Sequence, residues 1–229
     1  FIILTFLISA VIARILIPRI LLISLRKKLF DIPDDRKIHK RAIPRLGGVS
    51  FFPTTLFAFC LVYAFRLLDG DSISTLYASY LLPELLLFAC GMTLLYLTGI
   101  ADDLVGVRYR QKFAIQIFCA CLFPLSGLWI NDLYGLFGIH ELSAYVGIPF
   151  TVLTVVFITN AINLIDGIDG LASGLSSVAL LVFTFLFISK GLWSYAMLSA
   201  GTFGVLVPFF YYNVFGSVEP VSYTHLTLP

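Results

Sequence analysis

The chain alternates long apolar runs with short polar breaks, and the runs share one length. Seven of them, at about residues 1–24, 47–68, 80–101, 112–131, 145–164, 171–189 and 192–212, hold the roughly 20 mostly apolar residues that a helix needs to cross a hydrocarbon layer. They fill nearly the whole chain. One connection of about twenty residues follows the first run, and the others are short. No linker, low-complexity tract or internal repeat separates them, so the pattern predicts an all-α fold, a polytopic transmembrane helix bundle, in one domain over residues 1–220.

Composition agrees with that reading and narrows it. Hydrophobic residues make up 59% and charged residues 12% of the chain, and the mean hydropathy is +0.99. Soluble domains carry about 45–50% and about 25%, so a water-soluble fold would lack the polar residues to cover its surface. A net charge of +2 is too small to argue for a nucleic-acid partner. Cys60, Cys90, Cys119 and Cys121 all lie within apolar runs, without metal-ligand or disulfide-framework spacing, and read as small hydrophobes. The first residue, Phe1, already lies inside an apolar run, which suggests a missing N-terminal stub. The last nine residues, 221–229, resemble the translation of a sequencing-library adapter, so His225 is given no role.

Lysine and arginine set the orientation, because cytoplasmic loops are enriched in them. The first loop carries Arg26, Lys27, Lys28, Arg36, Lys37, Lys40, Arg41 and Arg45, and the third adds Arg108, Arg110 and Lys112. Only Arg66 and Lys190 fall on the other side, while Arg14 and Arg19 can snorkel toward the basic loop. Alternation then puts residues 160–170 and the end of the seventh run on the basic, cytoplasmic face. Trp129, Tyr134, Tyr145 and Trp193 fall near the opposite interface, as an aromatic belt predicts.

Three polar clusters border the helices on the basic face. Asp102 and Asp103 end the third run; adjacent like charges near a membrane are costly unless a cation neutralises them. They suit a divalent-cation site with a base or orienting group, or else simply a solvated helix end. Asn160, Asn163, Asp166 and Asp169 follow within ten residues, and the first three are spaced three apart, so neighbours meet on a helix. The plain alternative is a polar turn. The loop from Asp34 to Gly48 holds His39 and Arg45 among cations able to bind phosphate or anionic headgroups, although positive-inside topology also explains its charge. Lys112 is a candidate phosphate contact or a snorkelling lysine, and Glu84, at the far end of the third run, reads as interfacial.

The order and spacing of Asp34 to Gly48, of Asp102-Asp103 with Lys112 and Gln116 downstream, and of Asn160 to Gly174 resemble the bacterial polyprenyl-phosphate N-acetylhexosamine-1-phosphate transferases over about residues 1–218. The form Arg-Lys-Ile-His with Ile-Pro-Arg-Leu-Gly-Gly is more similar to the branch that starts O-antigen, common-antigen or teichoic-acid linkage synthesis than to the phospho-N-acetylmuramoyl-pentapeptide branch. The resemblance implies ten or eleven spans, a UDP-N-acetylhexosamine donor, undecaprenyl phosphate as acceptor, Mg²⁺ (or Mn²⁺) as cofactor, a place in the bacterial inner membrane and, as an open alternative, a homodimer. By motif it implies a catalytic set of Asp102, Asp103 and Asp166, metal ligation by Asp103 and Asp166, and substrate binding by Asn160, Asn163, Asp169, Lys112, His39 and Arg45. The family continues with a Gly-Asp metal motif and a His/Arg-rich loop that do not follow Asn213 to Ser217 here, so the polypeptide as it stands is expected to be inactive. The rival class is a secondary transporter or channel, whose acids sit near the bilayer midplane rather than at helix ends.

Overall fold

A computed structural model describes residues 1–26, 30–31, 43–44, 47–69, 72–166 and 170–215. His39, Arg45 and Asp169 lie outside the described residues, as does the segment 221–229. The chain is an up-and-down helical bundle: α1 (Ile2–Arg26), α2 (Phe51–Leu68), α3 (Ser72–Val105), α4 (Tyr109–Leu125), α5 (Ala144–Ile165), α6 (Leu171–Ser189) and α7 (Trp193–Val214). Two short strands, β1 (Phe30–Asp31) and β2 (Ile43–Pro44), pair antiparallel in the first basic loop, with Phe30 opposite Pro44.

Six of these helices are long and apolar enough to cross a membrane. The exception is α4. Hydropathy predicts a span over 112–131, but the helix starts three residues earlier and stops at Leu125, where Gly127 takes a left-handed φ of 91°. Its 17 residues give about 25 Å, short of the ~30 Å hydrocarbon layer. The chain beyond it is held rather than left bare: Leu128 N–H donates to the Phe123 carbonyl at 3.0 Å. Ile130 N–H donates to Thr151 Oγ1 of α5 at 2.9 Å. Such satisfaction is what lipid demands of non-helical backbone. Helix α3 departs the other way, running 34 residues against the expected 80–101, or about 50 Å, and so projecting past the layer.

The packing divides into two groups. Helix α7 packs most extensively against α1 and α6, and α2 joins α1 and α7; α4 lies between α3 and α5. Contacts between the groups, α2 with α3 and α5 with α6, are sparse. The α1–α7 seam is made of small residues. Thr5, Ser9, Ala13 and Ile17 recur every four residues on α1 and are buried against α7. A Cβ placed on Gly204 would come within 2.5 Å of the Phe6 carbonyl oxygen, so only glycine lets these two backbones approach so closely. Phe6 stacks on Phe203 with ring centroids 5.4 Å apart, and Phe51 meets Phe209 edge-on at 4.7 Å. The many exposed leucines, valines and phenylalanines along the other helix faces are what a lipid-facing surface presents.

Candidate active site

The ends of α3 and α5 and the start of α4 meet on the face that bears the basic loops. Helix α3 stops through Asp102 itself. The Asp102 carbonyl accepts the Gly106 N–H at 3.0 Å, its carboxylate Oδ1 accepts the Val107 N–H at 2.9 Å, and Gly106 adopts the left-handed φ of 72° that a helix-ending glycine supplies. Arg108 then turns extended and caps α4. This tight reversal brings Lys112, in the first turn of α4, back to Asp102: Lys112 Nζ donates to Asp102 Oδ2 in an ion pair. Both oxygens of Asp102 are therefore engaged, one with backbone and one with an ammonium. Asp103, the next residue, is half-buried.

One turn deeper on the same face of α4 is Gln116. Its Oε1 accepts a hydrogen bond from Asn160 Nδ2 of α5 at 2.8 Å, and the same Nδ2 donates to the Val156 carbonyl at 2.8 Å. Lys112 and Gln116, four apart, thus bind α3 and α5 to the two edges of one helix stripe. The expected polar stripe on α5 is present but winds. Each step of three residues rotates the side chain by about 60°, so Asn160 faces α4 while Asn163 and Asp166 turn outward and are exposed. Asp166 caps α5, donating its backbone N–H to the Ile162 carbonyl at 3.1 Å. Although its surface is accessible, nearby apolar groups shut off part of its water, and this desolvation raises its carboxyl above the ordinary pKa. On the far side of its loop, Gly170 abuts Val214 and Phe210 of α7.

Of the residues singled out from the sequence, Asp102 and Lys112 are in direct contact. Asn160 is tied to Gln116, one turn along α4 from Lys112, while among the described residues no side-chain bond links Asn163 or Asp166 to this group. Among the described residues no three His, Cys, Asp or Glu side chains come together. Asp103 and Asp166, the two carboxylates that the resemblance assigns to a divalent cation, lie at the C-terminal ends of α3 and α5. That donor set still fits Mg²⁺, which keeps several waters and is bound by one or two carboxylates plus phosphate oxygens.

Two side-chain pairings across the helices have no signature in the sequence pattern. Gln116 marked only a spacing, yet it is the link between α4 and Asn160. Glu84, near the start of the α3 span, accepts the Tyr195 O–H of α7 and lines a narrow, mostly apolar gap among α3, α4 and α5. At its other end this gap is lined by Gln116 and Thr159. The four cysteines are free thiols, as their apolar settings implied, and Cys119 is buried with its Sγ 3.5 Å from the Gly91 carbonyl.

Comparison with known proteins gives a consistent set of relatives. The chain is 29% identical over 213 residues to a probable undecaprenyl-phosphate N-acetylglucosaminyl 1-phosphate transferase of Bacillus subtilis, covering 93% of this chain and 55% of that protein. It is 27% identical over 194 residues to an undecaprenyl-phosphate alpha-N-acetylglucosaminyl 1-phosphate transferase of Yersinia pestis, covering 84% and 49%. It is also 33% identical over 199 residues to a phospho-N-acetylmuramoyl-pentapeptide-transferase of Streptococcus equi subsp. zooepidemicus, covering 79% and 55%. The chain spans about half the length of the curated relatives it matches. Residues 85–217, which include the acidic end of α3, all of α4 and the amide stripe of α5, match the model of glycosyl transferase family 4. This multi-pass membrane chain therefore belongs to glycosyl transferase family 4.

Proposed function

We propose that the protein containing this chain transfers N-acetylhexosamine 1-phosphate, GlcNAc 1-phosphate above all, from a UDP-sugar to undecaprenyl phosphate, releasing UMP. The reaction is the first membrane step of cell-envelope polysaccharide synthesis, at the cytoplasmic face of the bacterial inner membrane. The observation that carries this reading is the convergence of Asp102, Lys112, Gln116 and Asn160 at the basic face, where a water-soluble donor can meet a phosphate held by a lipid tail. The activities named for the relatives support the same chemistry, and the basic loop sequence favours the N-acetylglucosaminyl branch.

In this reaction an oxygen of the lipid phosphate attacks the β-phosphorus of the UDP-sugar, the bond to the bridging oxygen breaks, and UMP leaves with that oxygen. A phosphate monoester is largely ionised at neutral pH, so it needs little help from a base. Asp102, with both oxygens engaged, then serves to orient Lys112 rather than to remove a proton. Lys112 stabilises phosphoryl charge, and Asn160, Asn163 and Asp169 bind the nucleotide sugar, with His39 and Arg45 contributing from the first loop. Asp103 and Asp166 would hold Mg²⁺, which would supply positive charge to offset that of the diphosphate. Positioning and electrostatic stabilisation are the main demands of phosphoryl transfer.

Membranes containing the gene product, given radiolabelled UDP-GlcNAc and undecaprenyl phosphate, are expected to form a lipid-linked sugar pyrophosphate that added UMP reverses. Undiminished product from Asp102→Asn or Asp166→Asn would overturn the site assignment.

A further inference from the structure

We infer that the side-chain amide of Gln116 is a binding group for the phosphate of the lipid substrate, an assignment that rests on the functional reading above. The orientation of this amide is fixed by its neighbours. The Val156 carbonyl can only accept, so the Asn160 atom 2.8 Å from it is the NH₂ group. That same group faces Gln116 at 2.8 Å, so Gln116 must present its oxygen there. The Gln116 NH₂ is consequently turned away from α5's amide, and its two hydrogens have no partner among the described residues. Gln116 lines the gap among α3, α4 and α5, whose other walls at this level are Cys119, Ala120 and Val155. Gln116 is half-buried and its amide nitrogen is not sealed, so an oxygen from outside the chain can reach this donor.

Depth selects which oxygen. Gln116 lies seven residues into α4, about 10 Å below its start, and Lys112 sits one turn nearer the aqueous face. A phosphate whose tail is dissolved in the bilayer approaches from the membrane side and can meet the α4 stripe that carries Lys112 and Gln116, four residues apart. The diphosphate of a nucleotide, strongly hydrated and attached to a polar base and sugar, stays nearer the helix ends. Lysine and amide would then form a two-step ladder of donors for one lipid phosphate, the amide being the deeper rung.

Gln116→Glu separates the two roles of this side chain: a carboxylate still accepts from Asn160 but donates nothing and repels phosphate. Dissociation constants of undecaprenyl phosphate and of UDP-GlcNAc are measured separately on the purified gene product in detergent micelles, with thermal unfolding as the check on folding. Gln116→Glu is expected to weaken undecaprenyl phosphate binding at least about tenfold, the scale of one hydrogen bond to a charged group, and to leave UDP-GlcNAc binding within about twofold. Gln116→Met, which lacks both donor and acceptor but adds no charge, is expected to lose undecaprenyl phosphate binding to a similar extent. Unchanged lipid binding in a folded Gln116→Glu protein, or a loss confined to UDP-GlcNAc, overturns the assignment while leaving the proposed reaction standing. Failure of the unsubstituted protein to bind undecaprenyl phosphate overturns both.

Discussion

The two helix groups solve the problem of cohesion in lipid differently. In α7, 56% of the membrane-crossing window is buried inside the chain; in α3 the share is 6%. Lipid tails are as apolar as leucine, so apolar surface by itself gives helices no reason to associate, and close packing or hydrogen bonds must do so. The α1–α2–α6–α7 group uses close packing: Gly201, Gly204, Ser9 and Ala13 bring backbones together. The α3–α4–α5 group uses polar pairs at its basic end, Asp102 with Lys112 and Asn160 with Gln116. The α3–α4–α5 group is thus joined at its basic end by side chains that the proposed reaction would use, while the other group is joined by small residues.

The comparison can be broken first at Lys112. Lys112→Gln leaves Asp102 its backbone bond but removes the cation, and product formation by the intact protein is expected to fall about a hundredfold or more, the loss typical of one transition-state charge contact. Its melting temperature should fall only modestly, because one of the two polar pairs is lost while α3 and α4 stay joined by the 106–107 turn. A large fall in stability would mean that the pair is mainly structural.

Glycine sharpens the contrast, since one substitution can be made in both groups. Gly204→Ala would force its methyl onto the Phe6 carbonyl and is expected to destabilise by about 1–3 kcal/mol in reversible unfolding. Gly91→Ala would crowd the flexible end of Leu122 at 3.3 Å, with Cys119 in ordinary contact at 3.8 Å, and should change stability by no more than about 0.5 kcal/mol. Equal costs would show that the two groups pack alike. Between the groups, Tyr195→Phe removes the O–H that Glu84 accepts and should cost about 1–2 kcal/mol, with little effect on the basic-face chemistry.

The smallest expected effect has the most informative sign. Desolvation raises the Asp166 carboxyl pKa, so the folded chain holds that proton more tightly than the unfolded chain does. The resulting stability is complete below the unfolded pKa and is lost as pH rises through the folded one, which makes ionised Asp166 a cost at neutral pH. Asp166→Asn should therefore raise the melting temperature slightly at pH 7 and leave it unchanged at pH 3. Added Mg²⁺ should stabilise the unsubstituted protein more than the variant.

Much of this was legible in the sequence, for a physical reason: a bilayer fixes helix length, and lysine and arginine fix the facing. All seven helices lie where apolar runs predict them. The errors came at ends that hydropathy does not govern. Helix α3 continues upstream through the polar stretch Ser72 to Ser79 and past Pro83, whereas α4 stops at Pro124 to Gly127 although apolar residues continue to Ile130. That the ends of α3 and α5 and the start of α4 lie at one end of the bundle was readable, but their pairings were not. Asn160 and Gln116 are 44 residues apart and Tyr195 and Glu84 are 111 apart, and each pair depends on how two helices are rotated against each other. Periodicity along one helix does not contain that information.

The central claim is that the acidic end of α3 and the polar end of α5 share one membrane face, and cysteine labelling tests it most directly. In a cysteine-free background, Asp103→Cys and Asp166→Cys are introduced singly and exposed to a membrane-impermeant maleimide in intact cells and in inverted vesicles. Labelling of both positions in inverted vesicles alone is the predicted result. Labelling of the two positions from opposite sides would contradict the account.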